Sequence, residues 1–242
     1  MTKSKESNLN TFLKVDYKEE NSIWLTNSLT LRKIIGVLGM VMPLLLFLFL
    51  YLDNGLSSPL ESISHYYYTR VSGIFVIILS LLAFFLIVYK GKNPIDFYIS
   101  LFAGVFALLV VLFPTSNIIE ICGDPTKKYA VTILPASDFR MYFHYISAAL
   151  FFICLSYMSF FLFTKSNKTP SKRGIQKTIR NRIYRTCGVV MFLAILILFA
   201  GSLKIIPASY FKTYPLTFWM ETLAIESFGF AWLVKGETLF KD

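Results

Sequence analysis

Six stretches of the chain hold at most two charged side chains each, and polar segments of unequal length separate them. They run over residues 33–52, 71–89, 95–113, 139–163, 184–206 and 215–234. Residues 74–88 read IFVIILSLLAFFLIV, apolar around the whole helical circumference instead of along one stripe. A bilayer requires about 20 such residues per helical crossing, and only structures that close their own backbone hydrogen bonds persist in it. The pattern predicts an all-α polytopic membrane protein, a six-transmembrane-helix up-down bundle over residues 33–236. A polar arm at 1–32 precedes it and a short tail at 237–242 follows.

The connectors refine this outline. Residues 53–70, DNGLSSPLESISHYYYTR, are dense in turn formers and aromatics and read as an outer loop. KGKNP at 90–94 makes the second and third spans a tight hairpin. The longest connection follows Pro114 and contains YAVTIL at 129–134, a short strand or a buried cover, which periodicity does not separate. Residues 165–185, KSNKTPSKRGIQKTIRNRIYR, carry eight basic and no acidic residues and read as a loop.

Composition agrees with a lipid-solvated chain: of 242 residues, 55% are hydrophobic and 17% aromatic. The net charge of +10 would raise nucleic acid as a partner in a soluble protein, but its distribution argues otherwise. Eighteen Lys and Arg fall on the side holding the arm, residues 90–94, the 165–185 run and the tail, against six on the other. This asymmetry predicts that both termini are cytoplasmic, in a bacterial inner (plasma) membrane, with no nucleic-acid partner. The basic run Lys165–Arg185 should meet anionic headgroups of the inner leaflet. Residues 1–30 lack an apolar signal core, so the first span should be an uncleaved anchor. Cys122 falls in an outer loop, and Cys154 and Cys187 fall in spans, so no intrachain disulfide is expected.

Ionisable groups inside spans are costly and mark the places where chemistry could sit. Glu221 and Glu226 both fall in the sixth span, about 140° apart around its axis, so one pocket would not hold both. The plain reading of each is a helix–helix hydrogen bond, with Ser72, Ser147, Ser202 or a backbone carbonyl as partner. Glu226, near mid-bilayer, could instead serve as a proton or cation site. His144 should share a level with Glu221, and His65, Asp53, Glu61, Tyr66, Tyr67, Asp138 and Arg140 fall on that same outer side. His65, His144 and Glu221 could hold a divalent metal or do acid–base chemistry, although no metalloprotease or nucleophile-elbow spacing is present. Otherwise no cofactor is expected. Gly104, Ala103 and Ala107, like Ser147, Ala148 and Ala149, read as close-packing positions.

The loop SISHYYYTR, the segment FHYISAALFF of the fourth span and the six-span layout resemble the DRAM/Sfk-type six-helix membrane proteins and related bacterial membrane families of unknown function. The matching positions are Ser62, Ser64, Tyr66 and His144; the Pro-Pro-Glu signature of that group is absent, and Pro59 and Glu61 only approximate it. The resemblance implies a membrane protein without established enzymatic chemistry, connected with lipid organisation. A likeness to ceramidase-like membrane hydrolases fails on ligands, because two histidines cannot supply that site's three. The leading expectation is therefore a non-enzymatic membrane protein whose outer polar cluster binds lipid or stabilises the bundle. A membrane hydrolase using His144, Glu221 and His65 is the first alternative, and a small transporter or channel built on Glu226 the second.

Overall fold

The computed structural model describes residues 28–56, 58–91, 93–118, 129–166 and 174–240. The arm up to Asn27, Cys122, residues 167–173 and the last two residues lie outside this set. Among the described residues the architecture is all-helical. It comprises α1 (Ser28–Asn54), a 3-10 helix (Ile63–Tyr68), α2 (Ser72–Val88), α3 (Pro94–Leu112), α4 (Asp138–Tyr157), α5 (Ile175–Ser202), α6 (Ala208–Thr213) and α7 (Leu216–Lys235). A single π-helical turn, Met158–Leu162, extends α4.

Local chemistry sets the helix ends. Pro94 opens α3, where its missing N–H costs nothing, and the Asp96 carboxylate accepts the Asn93 N–H at 3.1 Å. Ser137 caps α4 by accepting the Arg140 N–H at 3.3 Å. The basic run 165–185 is not a loop throughout. Nothing after Gly174 breaks a helix, and α5 starts at Ile175, so Lys177, Arg180, Arg182 and Arg185 project from helix.

Among the described residues, four helices are long and apolar enough to cross a membrane: Leu29–Asp53, Pro94–Leu112, Asp138–Leu162 and Ile175–Ser202. The apolar α2 is shorter, at 17 residues. In α7, Glu221 and Glu226 together with its Thr and Ser positions dilute the apolar content. The six long helices form a closed ring, each packing against the next in chain order, with α7 seated between α5 and α1. Leu44, Ile77, Phe84, Phe102, Ile146 and Phe199 point out of this ring, a surface suited to acyl chains.

Small residues let the helices approach. At the α1–α7 crossing, a Cβ on Gly229 would lie 2.6 Å from the Gly36 carbonyl, and one on Gly36 would lie 2.7 Å from the Gly229 carbonyl. Ala103 and Ala107 are fully buried, and a Cβ on Gly104 would meet the Ala83 carbonyl at 2.6 Å, as expected for close packing. Serines add interhelical bonds: Ser100 donates to Leu86 O, Ser156 to Gly188 O and Ser159 to Tyr184 O, at 2.7, 2.7 and 2.8 Å.

The connector after α1 departs most from expectation. Read from the sequence as a loop, it contains the 3-10 helix, folds back into the end of the bundle and buries Leu56, Leu60, Ile63, Ser64, Tyr66 and Tyr68. Residues 129–134 form no strand. Tyr129 is buried, Ala130 pairs with Thr69 in one isolated bridge, and Val131 to Ile133 face outward. The Val131 and Thr132 N–H groups both donate to Tyr68 O, so this segment straps the 3-10 helix in place. We call the 3-10 helix the plug, its end of the bundle the plug end, and the opposite end the basic end.

Candidate functional site at the plug end

Ser62 starts the plug. Its hydroxyl accepts the His65 N–H at 3.3 Å and stands 3.1 Å from His65 Nδ1, so one serine caps the helix and holds the imidazole. The next exposed donor of that N-terminus, the Ile63 N–H, is satisfied from the far end of the sequence. Glu221 Oε2 on α7 accepts it at 2.6 Å. A second bond runs alongside, from the Phe218 N–H to the Glu61 carbonyl at 2.9 Å. The first turns of α7 and of the plug therefore cap each other.

His144 ties the plug to the neighbouring helices. Its Nδ1 lies 2.8 Å from Phe113 O, and its Nε2 lies 3.0 Å from Ser64 Oγ. A carbonyl only accepts, so Nδ1 carries the hydrogen. In the neutral ring Nε2 is then the acceptor and the Ser64 hydroxyl donates to it. Both residues are deeply buried, His144 at 2% and Ser64 at 7% exposure. Tyr68 donates its hydroxyl to Thr115 O, and Asn117 pairs with both the N–H and the carbonyl of Leu134. Burial, and secondarily the proximity of His144, lowers the His65 pKa from 6.5 to about 4 and keeps that ring neutral.

The sequence candidates therefore divide. His65, His144 and Glu221 do gather around one element, but each is committed to a different partner: Ser62, Ser64 and Ile63. Among the described residues no group of three or more His, Cys, Asp or Glu is arranged to hold a metal ion. The partner of Glu221 is a backbone N–H and not the serine or carbonyl expected for it. Tyr66 is fully buried against Phe218, and Tyr67 meets Tyr68 edge-on. Arg140 binds the carbonyls of Pro114 and Pro135 at 3.2 and 2.9 Å, which pins the long connection to α4. Asp138 is exposed in the first turn of α4. Glu226 sits half-buried more than a turn beyond Glu221, apart from the plug contacts.

Sequence reading missed Ser64 as the partner of His144 and the carbonyl of Phe113 as its anchor. The only signal for the first was a Ser and a His in apolar company 80 residues apart. Chemically, the plug end holds a buried Ser–imidazole pair oriented by a carbonyl, a second Ser–imidazole pair, and a carboxylate on a helix N-terminus.

The fold and this cluster define a helical bundle with a lipid-compatible surface and a hydrogen-bonded plug at one end. No protein-family model, curated protein or solved structure matches the chain.

Proposed function

We propose that the chain is a multi-pass integral membrane protein with six spans and a non-enzymatic role. Its plug end is the outer face and its basic end lies in the cytoplasm with both termini. In this reading the protein organises or binds lipid in a bacterial inner membrane, in line with its resemblance to the DRAM/Sfk-type group. The observation that carries it is the use to which the polar cluster is put. Glu221 accepts a plug N–H, Ser62 caps the plug, His144 links Ser64 of the plug to the Phe113 carbonyl, and Tyr68 of the plug donates to the Thr115 carbonyl, so their chemistry is spent on holding it closed. The surplus of Lys and Arg at the basic end supports the orientation.

Single cysteines at Lys204 and Lys90, in an otherwise cysteine-free chain, test the topology. A membrane-impermeant maleimide added to intact cells should label position 204 and not position 90; the reverse pattern would overturn the orientation.

One observation favours a second reading, a serine hydrolase acting on a lipid ester. Ser64 Oγ at 3.0 Å from His144 Nε2, with Nδ1 held by a carbonyl, is the geometry of a nucleophile beside its base. Fluorophosphonate labelling separates the two. The non-enzymatic reading expects no adduct on the purified protein, and a Ser64 adduct lost in Ser64→Ala would replace it with the hydrolase.

A further inference from the structure

Glu221 and His144 find partners in the plug, whereas Glu226 does not. Among the described residues, no hydrogen-bond donor and no cation acts on its carboxyl. It lies midway along α7, which runs Leu216–Lys235, with roughly 15 Å of helix on either side. One turn earlier the Thr222 hydroxyl is buried and also lacks a hydrogen-bond partner among the described residues. Unsatisfied polar groups are costly at this depth, where neither bulk water nor a lipid headgroup serves them.

Glu226 belongs to the outward side of α7. At 100° per residue, Trp219, Leu223, Glu226 and Phe230 fall within about 60° of one another. Trp219 is 51% and Leu223 45% exposed, and Glu226 and Phe230 are half-buried. Gly229, which meets Gly36 and Met40 of α1, lies outside this arc. The steps of four, three and four residues are those of a helix-pairing seam, here apolar with one polar member.

Acyl chains can cover the apolar members of the stripe but offer nothing to a carboxyl. Charge at mid-bilayer is costly, so the neutral acid is the form compatible with lipid. That acid has one O–H donor and a carbonyl acceptor, which makes it complementary to a second acid. Another copy of this chain supplies one at the same depth. A twofold axis along the membrane normal preserves depth, so residue 226 meets residue 226. The same axis sets the two stripes side by side in parallel, in the register that a single polar seam residue specifies. Any other partner would need a polar group placed independently at that depth.

We infer that α7 is a dimerisation helix. Two copies of the chain pair in parallel along Trp219, Leu223 and Phe230, and their Glu226 carboxyls exchange hydrogen bonds. The Thr222 hydroxyls supply a further donor at this interface. The inference rests on the reading of the chain as membrane-spanning, but not on which end faces out.

Crosslinking in carbonate-washed membranes tests the seam. The full chain, freed of its three native cysteines, carries one of Leu223→Cys, Phe230→Cys, or the outward-facing controls Phe84→Cys and Phe102→Cys. Oxidation with copper phenanthroline should give dimers from positions 223 and 230 and not from 84 or 102. In detergent, native mass spectrometry should show Glu226→Leu weakening the dimer by about tenfold. Glu226→Gln keeps a donor and an acceptor and should retain it. The proposal is overturned if the seam cysteines crosslink no better than the controls, or crosslink to a different protein. It is equally overturned if Glu226→Leu dissociates no more readily than the parent. Recovery of the chain in the washed membranes reports separately on the membrane-spanning reading. A twofold along the membrane normal holds for either orientation, so a reversed labelling pattern in the topology experiment leaves this test intact.

Discussion

Replacing Glu221 with Ala tests the account of the plug most directly. The substitution removes the acceptor of the Ile63 N–H, a bond of 2.6 Å between segments 158 residues apart. Ile63 is 3% exposed, so water does not readily replace the carboxylate. A buried donor left without an acceptor costs about 1–3 kcal/mol. For a chain of this size each kcal/mol moves the melting temperature by about 2–4 °C. Glu221→Ala should therefore melt roughly 4–8 °C below the parent in detergent, taking about 2 kcal/mol as the central value. Glu221→Gln keeps an acceptor oxygen in place and should recover more than half of that loss. Hydrogen exchange supplies the local readout, because amides of residues 60–68 should exchange faster in the Ala variant while those of α3 do not. Equal melting temperatures and unchanged exchange across 60–68 would refute the argument that Glu221 caps the plug.

Two further outcomes follow from the same contacts. The His65 ring titrates at about 4 in the folded chain against 6.5 ordinarily, so between these values the unfolded chain binds more protons. The stability supplied by the neutral ring is complete above pH 6.5 and lost as the pH falls toward 4; a melting series should decline across that window and decline less in His65→Asn. Gly229→Ala should cost about 1–3 kcal/mol, since its Cβ would lie 2.6 Å from the Gly36 carbonyl. Gly73→Ala, where a Cβ meets nothing within 4 Å, should be neutral or slightly stabilising, and equal melting of the two variants would contradict the close α1–α7 crossing.

The long helices were legible because a period-free apolar run leaves the backbone few alternatives. Residues 74–88 announce α2 without reference to any other part of the chain. The plug was not legible in that way. Nothing within DNGLSSPLESISHYYYTR carries a helical period, and its burial is decided by Glu221, His144 and Thr115, which lie far along the sequence. Three consecutive tyrosines beside two serines hinted that the loop was not simply solvated, but not which groups would claim its amides. Depth reckoning did bring His144 and Glu221 to one end, where the structure places them about a common element. The start of α5 was missed for a different reason: a dense basic charge reads as solvent exposure, whereas Gln, Lys and Arg are good helix formers. The Gly36–Gly229 approach was invisible because it depends on which helices become neighbours, and no local pattern specifies that.

The mutual capping of the plug and α7 also constrains the order of assembly. The plug follows the first long helix, yet the carboxylate that caps it and the Phe218 N–H bonded to Glu61 belong to the last. A chain emerging from its N-terminus presents α1 and the plug sequence well before either partner exists. Throughout synthesis of the four intervening long helices, the Ile63 N–H must be served by water or by a temporary acceptor. Insertion of α7 between α5 and α1 then closes the ring and the plug in one event, which makes the final helix a latch on the whole molecule.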